Sequence, residues 1–441
     1  MKTLYIKQLY SEKKVGLTVE LLCWLKGRRH HGSVIFLDLA DSTGSIQAVL
    51  SKKESRQDVF EIADKVPLES AIMVKGEVVI DAKNSKKMEI RVYHLEVIGE
   101  ATINMSPQPR SDFDIFDPSL TRHLLSKRHV YLRNPKVMAI MRFRHLLMSH
   151  MRNWFNTNGF IEINAPILTP VPLYEDETAM SIIVNDERVF LTQCVGYYLE
   201  AAVHAFERVY NMGPSFRGEE SRSKRHLMEY WHIKAELAFG NREDIMALVE
   251  QIIKYLTEKC HESSVELLET LGTKMCLDGL KIPYERIDYE DAIRKLQNQG
   301  ADIEFGDSLS SAEEETLSRL FKGPFWVVGI PRDVEPFPYV VDASDTRKTM
   351  VADLIASRGF GELLGVAEKI HTLEMLDERM KDKGKLGDPR YEWVREVHQL
   401  GCVPHIAFGM GVERLIRWLL NMSHVRDAIP FPRIFRRKVY P

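Results

Sequence analysis

The hydrophobic pattern of this chain changes its period near residue 134, and that change constrains the fold more than any other feature. Before this point, short runs of apolar and β-branched residues alternate with turn residues. After Asn134 and Pro135, apolar residues first recur at intervals of three and four. A period near two is typical of strands, and a period near 3.6 is typical of helices. The sequence therefore predicts two domains of different construction.

The first domain, residues 1–100, reads as a small antiparallel β-barrel. Runs typical of strands lie at 19–25, 33–39, 46–50, 71–79 and 89–97. Regular spacing of short strands with turn residues such as Asp41 and Gly44 between them favours a barrel. The stretch 101–133 begins with several prolines, serines and aspartates, and we predict that it is a linker.

The second domain, residues 134–441, is expected to be α+β. Asn134 followed by Pro135 predicts a helix start, and a second long helix is predicted from about Arg242. Strands are predicted at 209–217 and 228–239. Because strands and helices do not alternate regularly, we expect one α+β domain rather than a parallel doubly wound sheet.

Composition narrows the classes of function. The 441 residues carry a net charge of -3, which excludes a generally basic nucleic-acid coat but not a local basic patch. Five cysteines without CxxC or zinc spacing suggest free thiols in a reducing compartment. The N-terminal segment has no apolar core of a signal peptide, and no apolar run reaches membrane-spanning length. We expect a cytoplasmic protein that does not enter a membrane.

Two segments carry the chemistry. The first, 216–226, is rich in arginine and lies between two predicted strands; the second of these strands alternates, with Tyr230, His232 and Lys234 on its polar face. Arginine forks match phosphate oxygens, so the segment suits a polyphosphate, although a solvated hairpin would look similar. The second segment runs from Gly409 to Arg414. Its glycines would let an anion approach the start of the following helix, but a tight turn before a core helix would have the same sequence.

In this order and at this separation, the two segments resemble motifs 2 and 3 of class II aminoacyl-tRNA synthetases. FRGEESRSKRHLMEYWHIKAELAF is similar to motif 2, and HIAFGMGVERLIRWLLNMSHVRDAIPFPR to motif 3 of the asparaginyl and aspartyl branch. Residues 159–168 resemble motif 1. The resemblance implies an N-terminal OB-fold, a catalytic domain built on an antiparallel sheet flanked by helices, and a homodimer. It also implies ATP, Mg²⁺, an amino acid and tRNA as ligands.

The resemblance implies roles for the residues of the ATP site. Arg217 would bridge the amino-acid carboxylate and the α-phosphate, and Arg414 would contact adenine and the γ-phosphate as a second catalytic arginine. The other residues implied to bind ATP are Glu219, which would also be catalytic, Arg225, His226, Tyr230, Glu362, Gly409 and Gly411. Asp353 and Glu362 are implied to hold Mg²⁺, although ordinary surface carboxylates would give the same sequence.

The implied amino-acid site departs from the family pattern. Its residues would be Glu177, Gln193, Glu200, Arg217 and Lys369. Gly196 stands where a glutamine is expected, and Lys369 stands where the family has arginine. Glu200 resembles the glutamate that accepts an amide NH₂, which favours asparagine over aspartate.

The barrel carries a predicted contact with tRNA. The resemblance implies that Arg28, Phe36 and Gln47 grip an anticodon base, because aromatic stacking and hydrogen bonds to base edges are common in RNA recognition. Alternatively, Phe36 is a residue of the barrel core and Gln47 lies on the strand surface without a role in RNA binding.

Three functions remain open at this point. The leading hypothesis is a ligase that activates asparagine with ATP and transfers it to the 3′ end of tRNA. A paralogue could instead transfer the activated acyl group to an acceptor other than tRNA. A non-catalytic RNA-binding protein is the third hypothesis.

Overall fold

The computed structural model divides the chain into two compact units, residues 1–113 and residues 114–441. The structure describes residues 2–12, 14–81, 84–109, 113–172, 178–218 and 223–439.

The first unit is a closed barrel with strand order β1-β2-β3-β5-β4. Its strands are β1 (Thr18–His31), β2 (Val34–Asp41), β3 (Gly44–Ser51), β4 (Ala71–Asp81) and β5 (Asn84–Gly99), with helices α1 (Ile6–Ser11) and α2 (Gln57–Lys65). Alternate residues of each strand, such as Leu21, Ile35 and Leu37, are buried in the barrel core. All five predicted runs form strands, and the predicted OB-type barrel is confirmed.

The second unit is α+β, as predicted. Its strands are β6 (Ile161–Glu162), β7 (Leu168–Thr169), β8 (Ser181–Val184), β9 (Glu187–Leu191), β10 (Arg208–Phe216), β11 (Glu229–Ala238), β12 (Glu285–Asp288), β13 (Phe325–Val328), β14 (Val351–Ala356), β15 (Gly361–Lys369) and β16 (His405–Gly411). Its α-helices are α3 (Thr121–Ser126), α4 (Arg128–Tyr131), α5 (Pro135–Thr157), α6 (Gly196–Phe206), α7 (Arg242–Ser263), α8 (Val265–Leu271), α9 (Tyr289–Asn298), α10 (Ser311–Leu320), α11 (Leu373–Asp382), α12 (Glu392–Gln399) and α13 (Val412–Leu419).

A large mixed sheet organises this unit. Among the described residues its order is β12-β13-β14-β15-β16-β11-β10-β6, and the five central strands β14, β15, β16, β11 and β10 pair antiparallel with one another. The long helices α5 and α7 pack on one face of this sheet and bury its apolar side chains. The opposite face of the central strands is thereby left to carry polar groups.

Local sequence explains where the two long helices begin. The Asn134 side chain accepts a hydrogen bond from the Lys136 amide at 2.9 Å, and Pro135 is the first helical residue of α5. Asn241 forms a capping box with Asp244 at the start of α7. These caps satisfy amides that have no partner within the helix.

One predicted strand ends earlier than expected. β11 ends at Ala238, and Phe239 has a φ of +61° and an exposed side chain. The reversal at Phe239 directs the chain into α7. None of the described helices combines the length and apolarity needed to cross a bilayer.

Candidate functional site

The polar face of the central strands forms the floor of a cavity of about 370 Å³. Of the residues predicted to bind ATP or Mg²⁺, those that line it are Arg217, Arg225, His226, Tyr230, Asp353, Glu362, Gly409, Gly411 and Arg414. These residues come from the loop after β10 and from β11, β14, β15, β16 and α13, so folding joins segments nearly 200 residues apart.

The glycines of β16 provide room for polar side chains of β11. Gly409 lies opposite Lys234 and Gly411 opposite His232. A Cβ atom at Gly409 would lie 2.7 Å from Nε2 of His232, which is closer than real Cβ atoms approach. The two glycines therefore lie at the end of a strand, not within a phosphate-binding loop, and Gly409 keeps the floor of the cavity open.

Arg414 contacts two other predicted site residues. Its Nη1 atom lies 2.9 Å from Oε2 of Glu362, and its Nη2 atom lies 3.3 Å from Nε2 of His226. Burial and the nearby Arg414 and Arg225 guanidinium groups lower the pKa of His226 to about 3. The imidazole is therefore neutral near pH 7, and its Nε2 atom can accept a hydrogen bond from Arg414.

Arg225 is held from a distant helix. It makes a two-pronged ion pair with Glu314 of α10, in which Nη2 lies 2.6 Å from Oε1, and its Nε donates to Ser311 Oγ at 2.9 Å. Burial, together with the charge of Arg414, lowers the pKa of Arg225 to about 10. Glu314 thus positions a cation at the edge of the cavity, and sequence reasoning did not identify it.

Three carboxylates share the side of the cavity formed by β14 and β15. Burial and the charges of Glu362 and Glu335 raise the pKa of Asp353 well above its ordinary value. Burial and Glu362 raise the pKa of Glu335 to about 7, whereas Arg414 and Arg225 overcome the effect of burial and hold that of Glu362 at about 2. Burial therefore disfavours the ionised forms of Asp353 and Glu335, whereas Glu362 stays ionised beside the arginines.

A buried ion pair anchors α13 beneath the cavity. Oε1 of Glu413 lies 2.6 Å from Nη1 of Arg144 on α5, and its Oε2 accepts a hydrogen bond from the Trp231 amide at 3.1 Å. These contacts tie α13 to α5 and β11. The neighbouring Arg414 consequently projects into the cavity from a fixed backbone.

Lys234 and Cys194 form the other end of the cavity. Nζ of the buried Lys234 lies 2.8 Å from Sγ of Cys194, and both residues line the cavity. A Cβ atom at position 196 would lie 2.8 Å from the same Nζ. Gly196, the departure from the family pattern noted above, therefore makes room for the lysine ammonium group.

Glu200 and Lys369 do not line this cavity among the described residues. Nζ of Lys369 lies 2.7 Å from Oε2 of Glu200, and both side chains are almost fully buried. Lys369 follows Ala367 by two residues on β15, and Ala367 does line the cavity. The pair thus lies on the same sheet face, next to the end that Lys234 and Cys194 form.

The remaining predicted amino-acid residues have different placements. Gln193 is buried outside the lining of the cavity, and its Nε2 donates to Thr178 Oγ1 at 2.9 Å. Arg217 lines the cavity. Glu177 and Glu219 lie outside the described residues.

On the barrel, Arg28 is not part of the predicted group. Its Nη1 atom donates to the carbonyl oxygens of Ala63 and Val66, at 3.0 and 2.8 Å. A register shift between Leu25 and Gly27 of β1 changes which side chains face outward, so simple alternation does not place Arg28 correctly. Arg28 therefore supports the end of α2.

Arg29 takes the place expected for Arg28. It lies directly opposite Phe36 in the β1–β2 pairing, and its Nη2 atom donates to Gln47 Oε1 at 3.0 Å. The Nε2 of Gln47 donates in turn to Glu89 Oε2 at 2.9 Å. Phe36 is half-buried. The structure thus brings an aromatic ring, an arginine and an amide together on the outside of the barrel.

Comparison with known proteins agrees with both units. A family model described as tRNA synthetases class II (D, K and N) matches residues 121–434, and one described as an OB-fold nucleic acid binding domain matches residues 19–98. The asparagine–tRNA ligase of Pyrococcus abyssi is 37% identical over 431 residues, which cover 97% of this chain and 96% of that protein. The asparagine–tRNA ligase of Desulforamulus reducens is 34% identical, over 97% and 98%.

Solved structures show the same similarity. The crystal structure of asparaginyl-tRNA synthetase from Pyrococcus horikoshii, complexed with asparaginyl-adenylate, superimposes with a TM-score of 0.93 at 34% identity and covers 100% of both chains. An asparaginyl-tRNA synthetase of Entamoeba histolytica gives a TM-score of 0.86 at 25% identity, over 97% of each chain.

Proposed function

Because this chain belongs to the class II tRNA synthetases (D, K and N), we propose that it activates asparagine with ATP and transfers it to tRNA. An oxygen of the amino-acid carboxylate attacks the α-phosphorus, the bond to pyrophosphate breaks, and aminoacyl-AMP forms. A ribose hydroxyl at the 3′ end of tRNA then attacks the acyl carbon, and AMP leaves. The observation that carries this proposal is the gathering of Arg217, Arg225 and Arg414 in one cavity.

In the first step two anions must approach each other, and the positively charged arginines reduce the repulsion between them. Arg217 lines the same cavity as the phosphate-facing residues and Lys234, and we assign it to the carboxylate and the α-phosphate. Arg414 and the neutral His226 are assigned to the phosphate tail, and Tyr230 and Glu219 to adenine.

The carboxylates suit Mg²⁺. Asp353, Glu362 and Glu335 offer hard oxygen donors, and a dication would stabilise the ionised form of Asp353, whose pKa is raised by burial and by the neighbouring carboxylates. We propose that these residues hold the ion together with the phosphates. When bound, Mg²⁺ neutralises charge on the departing pyrophosphate.

Glu200 and Lys369 support asparagine as the amino acid. The carboxylate can accept from an amide NH₂ and the ammonium can donate to an amide oxygen, and the two groups lie side by side at 2.7 Å. A primary amide is complementary to this pair. A second carboxylate in its place would face Glu200 and be repelled.

Lys234 favours a second candidate substrate. The amino-acid end of the cavity terminates at its buried ammonium group, and a buried ammonium suits a carboxylate better than an amide. A dicarboxylic amino acid such as aspartate is therefore the alternative, with the same adenylate chemistry and the same transfer to tRNA.

The proposed contacts with tRNA lie on the barrel face described above. Phe36 would stack on an anticodon base, while Gln47 and Arg29 would bond to its edge. Phe36→Ala should weaken charging of tRNA and leave amino-acid activation unchanged.

We also propose a homodimer through motif 1, in line with the resemblance. Apolar side chains at Ile161, Ile167, Leu168 and Ile183 are exposed on strands β6 to β8 and the segments between them. Burying such a surface is favourable in water. Sedimentation of Ile183→Asp beside the unchanged protein would test this association.

Amino-acid-dependent exchange of pyrophosphate into ATP tests the proposed function, with all twenty amino acids offered separately. Exchange highest with asparagine supports the first candidate, and exchange highest with aspartate supports the second. Charging of total tRNA with the same amino acid completes the test. Exchange with none of the twenty would contradict both candidates.

A further inference from the structure

A cluster of soft ligands lies outside the cavity, where the C-terminal part of α6 meets the start of β16. It consists of His204, Cys402 and His405, whose ligand atoms all lie within 4.8 Å of one another. In a tetrahedral zinc site, bonds of 2.0–2.3 Å place ligand atoms roughly 3.3–3.7 Å apart. The cluster therefore needs adjustments of about 1 Å to surround an ion.

Backbone contacts orient both histidines so that Nε2 faces the cluster. Nδ1 of His204 donates to the Glu200 carbonyl oxygen at 2.6 Å, and Nδ1 of His405 donates to the Val403 carbonyl oxygen at 2.8 Å. Each Nε2 atom is then an unprotonated lone pair. Such hydrogen bonds from the remote ring nitrogen are the usual support of metal-binding histidines.

The lone pair of His405 lacks a hydrogen-bond donor among the described residues. His405 is only 1% exposed, so water does not supply a donor from bulk solvent. In contrast, Nε2 of His204 accepts hydrogen bonds from the Cys402 thiol at 2.8 Å and from the Val403 amide at 3.2 Å. A buried acceptor without a donor is costly, and a cation between these atoms would satisfy it.

Glu236 lies next to His405, outside the group of three whose ligand atoms are mutually within 4.8 Å. It is fully buried, and neither of its carboxylate oxygens has a hydrogen-bond partner in the described part of the chain. Its Oε2 atom lies 3.9 Å from Nε2 of His405. Two histidines, one cysteine and one glutamate form a donor set that zinc accepts.

We propose that His204, Cys402 and His405 bind a zinc ion, with Glu236 as the fourth ligand. Binding replaces the thiol proton of Cys402, so one proton is released for each ion bound. The ion joins α6, which carries Glu200, to β16, which carries the cavity glycines. The short Cys402-Val403-Pro404-His405 spacing contributes half of the site, and folding adds His204 from 198 residues earlier.

Metal binding by the full-length protein, without a histidine tag or substrate, tests the proposal. After dialysis with chelator, zinc should rebind at one equivalent and raise the melting temperature. Co²⁺ should give the visible bands of a tetrahedral site and a thiolate-to-cobalt charge-transfer band. Cys402→Ser should abolish the charge-transfer band and weaken zinc binding by at least 100-fold.

His204→Gln is a second variant, because its half-buried position tolerates substitution better than a core residue. Cys276→Ser removes a buried thiol that lies outside the cluster and should bind zinc like the unchanged protein. One equivalent of zinc retained with the same affinity in both Cys402→Ser and His204→Gln would overturn the proposal, as would no stoichiometric binding to the unchanged protein. The readout does not depend on amino-acid activation, so it is independent of the proposed function.

Discussion

The two ends of the cavity differ in whether their ion-paired side chains line the cavity. At the proposed phosphate end, which Arg225, His226 and Arg414 form, Arg414 pairs with Glu362 and Arg225 with Glu314, and both arginines still line the cavity. At the amino-acid end, Glu200 and Lys369 pair outside the cavity, and the lysine that lines it is Lys234. The proposed phosphate end therefore has cations in the cavity that a polyanion can engage, whereas at the proposed amino-acid end the ammonium group of Lys234 lines the cavity and that of Lys369 lies beside it.

The largest effect is expected at the boundary between the two ends. Arg217→Ala should lower kcat for pyrophosphate exchange about 10³-fold, because one cation stabilises both anions as they approach each other. Initial rates at saturating ATP and amino acid measure this loss. Arg319→Ala removes an exposed arginine of α10 and is the matched control.

The kinetics of Arg217→Ala also test whether the cavity divides into a phosphate end and an amino-acid end at Arg217. If Arg217→Ala raised only the KM of the amino acid and left kcat intact, Arg217 would belong to the amino-acid end. The division of the cavity would then have to be drawn elsewhere.

The second prediction concerns selectivity. Lys234→Met should lower exchange with aspartate about 30-fold relative to exchange with asparagine, because a buried charged hydrogen bond contributes about 2 kcal/mol. The KM of ATP should stay within twofold, since the phosphate end is untouched. Ratios of kcat/KM for the two amino acids measure the change, with Lys259→Met on the exposed side of α7 as control.

An unchanged ratio would mean that Lys234 does not meet the substrate side chain. A large rise in the KM of ATP would show instead that the two ends are not independent. Either result would remove Lys234 as the selectivity residue.

The fold was predictable because local signals agreed with each other. The Asn134-Pro135 cap, the alternation along β1 to β5 and the apolar face of α5 each indicate one local structure, and tertiary packing preserves them. The end of β11 was not predicted, because Phe239 adopts a left-handed φ that its residue type does not signal.

The site was predictable where its residues lie in continuous motifs. Arg217, Arg225, His226 and Tyr230 fall in one segment, and Gly409 to Arg414 in another. Glu314 and the Lys234–Cys194 contact could not be predicted, because folding joins them from distant segments. Arg28, which the resemblance implied, contacts the end of α2 instead of Phe36 and Gln47, because the bulge in β1 brings Arg29 opposite Phe36, and the sequence does not show a bulge.

The third prediction tests why position 196 is glycine. Gly196→Ala places a methyl group 2.8 Å from Nζ of Lys234, and the flexible lysine must move away from Cys194. We expect about a tenfold rise in the KM of the amino acid and no change in the KM of ATP. Thermal stability should not fall, because alanine is favoured over glycine in a helix such as α6.

Gly323→Ala is the matched control, because a Cβ atom there meets nothing within 4 Å. A drop in melting temperature without a change in KM would assign Gly196 to packing. It would also separate Gly196 from the cation at the amino-acid end.

The smallest effect concerns the neutral His226 at the phosphate end. Burial and the neighbouring arginines lower its pKa to about 3, below the ordinary 6.5. A group whose pKa is lower in the folded state contributes stability above pH 6.5 and loses it as the pH falls towards 3.

His226→Asn tests this contribution. Between about pH 7.5 and pH 5, the free energy of unfolding of the unchanged protein should fall by about 1 kcal/mol more than that of His226→Asn, a value that allows for the partial exposure of His226. Urea unfolding at both pH values measures this difference, with His145→Asn on the exposed side of α5 as control. Parallel losses in the unchanged protein and His226→Asn would show that the arginines do not hold this imidazole neutral, and the phosphate end would then be less cationic than its geometry indicates.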